Sequence, residues 1–416
     1  MTDCPVAILG MGGSGRAVAA LLDARGHPWE GFDERRESGY PDTFSVSRGW
    51  EKVIVSPGLP AGHRWVTAAR AAGLEVIGEW GWAAEQWPGE MWAVTGTNGK
   101  TTLTLLLEAL VRKQGRAVRV AGNIGLPLSR SLLEQPPRTD ELLICEVSSF
   151  QAANPGGASP EITFWTNFAE DHLDWHGTRE AYLAAKVNLL KATERKRGGR
   201  SYLGASVERS LGENNTFRTA EVCPDPDGAL VEETPFARWP QRENAALAYA
   251  WWRSAGGVDE AFRDVLRSFR LPPHRLSICL ERAGVTFWDD SKATNFAATE
   301  AALAGFPEPV RWLGGGKDKG DIPGRLVEMI LNNVKAAYLF GETGPLLRKL
   351  FAAKGVPCQY FDGLEAAVKG VVNDAEAGEH VVLSPGFSSL DQFSGYAARG
   401  KAFREALNAF LPTLFT

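Results

Sequence analysis

Two glycine-rich turns and several polar clusters at strand ends hold the residues able to do chemistry. Gly10-Met11-Gly12-Gly13-Ser14-Gly15 fits G-x-G-x-x-G between the apolar run Val6–Leu9 and a helical pattern. Glycines there let the backbone approach a pyrophosphate, whose charge a helix N-terminus favours. Asp33 follows eighteen residues after Gly15, near the end of the next predicted strand. Alone, these residues describe either a nucleotide-diphosphate site, NAD and FAD included, or a turn that only packs strand on helix. A second turn, Gly96-Thr97-Asn98-Gly99-Lys100-Thr101-Thr102, lies between the apolar run Met91–Thr95 and a predicted helix over 102–113. Backbone N–H groups of such a loop cradle phosphates, Lys100 reaches the outer ones, and the Thr101 or Thr102 hydroxyl meets Mg²⁺. The glycine spacing falls short of the full G-x-x-x-x-G-K-[ST], yet the strand–turn–helix context favours ATP or GTP over a chance turn.

Further polar residues follow apolar runs. Glu146 ends the predicted strand 142–145, and His172 follows the run Ile162–Trp165. Ligands of open α/β sheets bind beyond the carboxyl ends of the strands, so both would converge on the phosphates and hold Mg²⁺. Lys186, four residues after Tyr182 on a helix that Thr178 can cap, reads by itself as a surface lysine. In the last third, Asp289-Asp290-Ser291-Lys292-Ala293-Thr294-Asn295, Gly314-Gly315-Gly316-Lys317-Asp318-Lys319-Gly320 and Ser384-Pro385-Gly386-Phe387-Ser388-Ser389 each follow an apolar run. Together they outline the rim of a site.

The elements that must position these residues alternate along the chain: short apolar runs, then helical patterns, from end to end. Over 416 residues this predicts an α/β protein of three domains, with boundaries near Trp87-Pro88-Gly89 and Leu271-Pro272-Pro273. Residues 193–240 carry charge clusters, Gly-Gly and Pro-Asp-Pro-Asp-Gly, and read as loops with short antiparallel strands. A closing amphipathic helix is predicted over 399–411. Hydrophobic residues at 44% and charged residues at 23% exclude a disordered or fibrous chain. A net charge of −5, from 45 basic and 50 acidic residues, supplies no broad basic field for nucleic acid. Five scattered cysteines without a C-x-x-C pair argue against a disulfide framework or a structural zinc, and predict a reducing, cytoplasmic location. No apolar run is long enough for a membrane span, and no basic signal-peptide region precedes Val6.

With these motifs in place, the chain resembles the Mur ligases along almost its whole length. The likeness runs through residues 10–15, Ser56-Pro57-Gly58, 96–102, Gly122-Asn123-Ile124-Gly125, 146–151, 167–176, Lys186, 290–295, 318–320 and 384–400. The G-T-N-G-K-T-T loop is shared across that superfamily and with folylpolyglutamate synthases. Ser291-Lys292-Ala293-Thr294-Asn295 is more discriminating and points to the members that add D-glutamate. The resemblance implies three domains: an N-terminal Rossmann-like one (1–88) for a UDP-sugar, a central P-loop ATPase-like one with a mostly parallel sheet (89–272), and a C-terminal Rossmann-like one (273–416). The last would close over ATP and bind the incoming amino acid. It further implies an acyl-phosphate mechanism on UDP-N-acetylmuramoyl-L-alanine, with D-glutamate as nucleophile, ATP, two Mg²⁺ sites and a monomeric enzyme of peptidoglycan precursor synthesis.

Residue by residue, the resemblance assigns Lys100 to the phosphates and Glu146 and His172 to Mg²⁺, beside the Thr101 hydroxyl. Lys186 falls on the family's carbamylated lysine, whose carboxylate binds a second Mg²⁺. Gly12, Ser14, Gly15, Asp33, Gly58, Asn123, Ser148 and Gln151 match the UDP-substrate side. Gly96 to Thr102, Gln241, Asn244, Arg275, Asp290, Lys292 and Asn295 match the ATP side. Thr294, Lys319, Ser389, Leu390 and Tyr396 match the D-glutamate pocket, where Lys319 can neutralise a carboxylate. Some positions depart from the family pattern: Gln241 replaces an asparagine, Gly386-Phe387-Ser388 replaces A-C-A, Tyr396 replaces a phenylalanine and Trp175 an arginine. The Gln241 amide retains the hydrogen-bonding groups an adenine needs. Two alternatives stay open: a Mur-type ligase for a different amino acid, and a degenerate nucleotide-binding protein. A nicotinamide dehydrogenase would rest on residues 10–15 alone.

Overall fold

Three sheets follow one another along the chain in the computed structural model, which describes residues 4–212, 217, 220–223, 228–320 and 322–411. The first holds β1 (Val6–Leu9), β2 (Trp29–Phe32), β3 (Val53–Val55) and β4 (Val76–Gly78) in the order β2-β1-β3-β4, every pair parallel. A strand covered on both faces reads as an unbroken apolar run, and β1 is such a strand. Val6 and Ile8 enter one core while Ala7 and Leu9 enter another with Phe32, Val55 and Trp65.

The central sheet comprises β5 (Met91–Thr95), β6 (Val118–Gly122), β7 (Leu142–Glu146), β8 (Ile162–Trp165), β9 (Arg200–Leu203) and β10 (Ala220–Val222), ordered β10-β9-β8-β5-β7-β6. All its pairs are parallel. This corrects the expectation of antiparallel strands within 193–240: β9 continues the parallel sheet beside β8, and helices Ala205–Leu211 and Gly228–Val231 occupy part of that stretch. Pro224-Asp225-Pro226-Asp227 lies outside the described residues. Neighbouring β8, β5 and β7 bring Thr95, Glu146 and Trp165 to one sheet end. The core holding Val6 and Ile8 also contains Ala93, Leu143 and Cys145 of this sheet. Val18, Trp80 and Leu128 join the two, from helices Gly13–Ala24, Glu79–Ala84 and Leu128–Glu134.

The third sheet contains β11 (Ser277–Arg282), β12 (Val285–Asp289), β13 (Val310–Gly315), β14 (Val334–Phe340), β15 (Cys358–Tyr360) and β16 (His380–Leu383). Its order is β11-β12-β16-β13-β14-β15, and only β11 with β12 is antiparallel. Cores lie on both faces, one around Trp312 and Val382, the other around Leu313, Val381 and Phe403. The adjacent carboxyl ends of β12, β16 and β13 carry the three polar clusters noted in the sequence. The chain divides into two compact units, Met1–Phe236 with Arg242–Phe269, and Ala237–Gln241 with Arg270–Thr416. The first two sheets belong to the first unit. Among the described residues, no helix is long and apolar enough to cross a membrane.

Candidate active site

The turn after β1 opens on a cavity of about 490 Å³ lined by Gly12, Ser14, Asp33, Arg35, Ser56 and Gly58, among others. Asp33 accepts from the Met11 N–H at 2.8 Å and from the Arg35 guanidinium through both carboxylate oxygens. The Arg35 fork outweighs burial and holds the Asp33 carboxyl well below its usual range. Gly15, expected with the substrate residues, is not among those lining the cavity. A Cβ there would lie 2.1 Å from the Gly10 carbonyl oxygen, so this glycine serves the close packing of helix on strand.

The phosphate loop follows β5, and its glycines are sterically required. Gly99 has φ +82, and a Cβ on Gly96 would fall 1.8 Å from Thr166 Oγ1. Lys100 begins the helix Lys100–Lys113, its ammonium donating to the Gly96 and Thr97 carbonyls, each at 2.9 Å. Of the two threonines, Thr101 stands beside a carboxylate, its hydroxyl 2.7 Å from Glu146 Oε2, whereas the Thr102 hydroxyl is buried without a partner. Asn123 donates to the other Glu146 oxygen at 2.7 Å. On the helix Gln241–Ser254, Asn244 lies against the loop, since a Cβ on Gly99 would be 2.7 Å from its Oδ1, and Gln241 is buried at the helix start.

Lys186 is not a surface lysine. Thr178 caps its helix, Arg179–Glu194, through the Ala181 N–H, and Tyr182 shares its buried face. The ammonium is fully buried, 2.8 Å from the Gly96 carbonyl, 3.2 Å from Thr95 Oγ1 and 5.0 Å from the Tyr182 ring centre. Burial, reinforced by nearby Lys100, lowers its pKa well below 10.5. His172, at φ 56, packs on the rings of Phe150 and Tyr182, with centres 4.7 and 6.3 Å away. Among the described residues, no three His, Cys, Asp or Glu side chains form a metal cluster. The Glu146 carboxylate and the Thr101 hydroxyl nevertheless stand together as oxygen donors of the kind Mg²⁺ takes, with waters and phosphate oxygens completing its shell. Ser148 and Gln151 form a capping box on the short helix Ser149–Ala152, so a local bond engages both side chains. Glu243, which the sequence reading passed over, is buried beside Asn167, and desolvation pushes its carboxyl to about 7.

In the second unit, Asp290 accepts from the Leu276 N–H and the Ser384 hydroxyl, and burial pushes it to about 8. Lys292 lies 4.1 Å from the Tyr396 ring centre, and Lys319 donates to the Thr294 carbonyl at 3.0 Å. Asn295 caps the helix Phe296–Ala304 through the Ala298 N–H. Arg275 acts on Asp290 electrostatically. Ser389 is buried and Leu390 is exposed, side by side in the loop after β16. Two neighbours escaped the sequence reading. Arg399, fully buried, donates to Ser291 Oγ, the Ser291 carbonyl and the Phe387 carbonyl, tying two of the polar loops together. His274 bonds Asp289 at 2.7 Å, which Arg404 also contacts. Arg399 reads as one more cation on an amphipathic helix, and only the loops it meets distinguish it.

A chain with a phosphate loop on a parallel central sheet and a separate α/β unit bearing a polar rim is assembled as the Mur ligases are. Residues 94–200 match the model of the Mur ligase middle domain, and 274–387 that of the Mur ligase glutamate ligase domain. The chain belongs to the Mur ligase family. Within it, the protein named UDP-N-acetylmuramoylalanine--D-glutamate ligase in Gloeobacter violaceus is 35% identical over 97% of this chain and 99% of its own. Its namesake in Frankia casuarinae is 34% identical over 97% and 94%. The fold agrees with that of the MurF ligase from Thermotoga maritima in complex with ADP, at a TM-score of 0.60 and 17% identity over 98% and 96% of the two chains.

Proposed function

We propose that this protein joins D-glutamate to UDP-N-acetylmuramoyl-L-alanine at the expense of ATP, in the synthesis of peptidoglycan precursors. The observation that carries the reading is the phosphate loop with Thr101 bonded to Glu146 and Lys186 buried behind it, in a chain whose relatives bear that name. In the reaction, a substrate carboxylate oxygen attacks the γ-phosphorus and ADP departs. The D-glutamate nitrogen then adds to the acyl carbon, loses its proton, and phosphate leaves as the amide forms. Lys100 and the loop N–H groups hold charge that accumulates on the phosphoryl oxygens. Glu146, the Thr101 hydroxyl and His172 would hold Mg²⁺, which supplies charge neutralisation for transfer.

Lys186 is assigned as a carbamate. Its depressed pKa keeps a fraction of the amine neutral, and that nitrogen can bond the carbon of CO₂ and release a proton. The resulting anion would sit beside the loop as a second cation ligand. The cavity at Asp33 takes the UDP end, with Gly12, Ser14, Gly58, Asn123, Ser148 and Gln151 on the same substrate. Gln241, Asn244, Arg275, Asp290, Lys292 and Asn295 serve ATP, and Thr294, Lys319, Ser389, Leu390 and Tyr396 the amino acid. The enzyme works as a cytoplasmic monomer whose residues 273–416 close over ATP, a motion small-angle scattering with and without ligands would register.

The test is phosphate release from ATP with Mg²⁺ and UDP-N-acetylmuramoyl-L-alanine across a panel of amino acids, with product mass determined. Turnover with D-glutamate alone is the expected result, and Lys100→Ala abolishes it. A second reading, a Mur-type ligase for another amino acid, draws on Tyr396 with Lys292 stacked on its ring. Turnover only with a different panel member would select it.

A further inference from the structure

The phosphate loop is gripped by the strand-end segment 166–169. The Asn98 carbonyl accepts from Thr166 Oγ1 at 2.5 Å and from Asn167 Nδ2 at 3.3 Å, while the Asn98 N–H donates to Asn167 Oδ1 at 2.9 Å. Thr97 N–H donates to the Asn167 carbonyl at 3.0 Å. A side-chain amide has donors only on nitrogen and acceptors only on oxygen, so this double bond to Asn98 works in one orientation. Turned over, the amide would set oxygen against the Asn98 carbonyl and N–H against N–H. The second Asn167 Nδ2 hydrogen goes to Glu243 Oε2 at 3.3 Å. Glu243 is only 8% exposed, and the missing side chain of Gly204 makes room for it, since a Cβ there would lie 2.7 Å from its Oε1. The next residue on the same helix, Asn244, lies against Gly99.

We propose that Glu243 is a positioning residue for the nucleotide: as an acceptor it fixes the orientation of the Asn167 amide, and Asn167 in turn holds the phosphate loop in the shape that receives phosphate. The proposal rests on the reading of that loop as an ATP site. Neither residue touches the reacting atoms, so their loss acts on nucleotide affinity before it acts on the amino acid.

The experiment compares the wild type with Glu243→Leu, Glu243→Gln and Asn167→Asp, measuring ADP affinity by calorimetry and KM for ATP, D-glutamate and the UDP substrate. Glu243→Leu and Asn167→Asp raise the KM for ATP and the ADP dissociation constant at least about tenfold, the scale of one lost hydrogen bond, and leave the KM for D-glutamate within about twofold. Glu243→Gln, whose Oε1 accepts the same N–H, stays within about threefold of wild type. A Gln variant as impaired as the Leu variant overturns the orienting role. Should Glu243→Leu fail to fold, the near-isosteric Asn167→Asp decides alone, and an ATP KM within twofold of wild type overturns the pair. Wild-type protein that binds no ADP overturns the nucleotide reading and the pair with it. ADP binding that is present in wild type and undiminished in the variants overturns the pair alone.

Discussion

A buried lysine with its ammonium on a backbone carbonyl is costly to hold, and Lys186 is the plainest case here. Lys186→Met is expected to lower kcat by about 100-fold or more, the scale of removing one group that stabilises transition-state charge. ADP affinity should change little, and stripping CO₂ from the buffer should slow the wild type but not the variant. Steady-state phosphate release with and without bicarbonate measures both. Asp290 makes a pH prediction. Its folded pKa near 8 lies above the ordinary 3.8, so between those values the folded state keeps a proton that the unfolded chain has lost. Its contribution to stability is therefore complete below pH ~4, declines as pH rises, and is gone above ~8. Urea unfolding should show that decline in wild type and a shallower one in Asp290→Asn. The place of Lys100 in a strand–turn–helix loop was legible in sequence. The burial of Lys186 was not, because the Thr95 it touches comes 91 positions earlier in the chain.

At the scale of elements, close approach decides what each junction tolerates. β6 ends at Gly122, at φ +109, where a Cβ would meet the Glu146 carbonyl oxygen at 2.4 Å. Gly122→Ala must shift β6 against β7, and should cost about 3 kcal/mol in chemical denaturation while displacing Asn123 from Glu146. In the other unit, Arg399→Met would leave the Ser291 and Phe387 carbonyls without this donor, a loss of about 2–4 kcal/mol with a raised KM for D-glutamate. Strands buried on both faces announced themselves as apolar runs, so β1, β5 and β8 were readable directly. β9 was obscured because Arg200 and Ser201 break its apolar pattern and nothing local reveals that its partner, β8, runs parallel. The capping box at Ser148 and Gln151 was not read from the sequence, where the resemblance alone spoke for these two residues, because Ser and Gln serve short-range bonding and ligand binding alike.

For the whole molecule, the sharing of cores matters more than the number of sheets. The first two sheets have a common apolar core through Val18, Trp80 and Leu128, while the third has cores of its own. Calorimetry should resolve two unfolding transitions, the sheets bearing the cavity at Asp33 and the loop at Lys100 melting together in one of them. UDP-N-acetylmuramoyl-L-alanine alone should raise that transition and leave the other in place. The three α/β segments were countable from alternating runs, but the merging of two of them was not, because Val6 and Leu143 look equally apolar whichever core receives them. The same merging governs how the gene can be recombined. A chimera joined near residue 89 would pair helix faces that were never selected together and should accumulate as insoluble protein. One joined near 270, and carrying 237–241 from the same parent, leaves each parental interior whole and should yield soluble hybrids, so the later seam is where parts of different ligases can be exchanged.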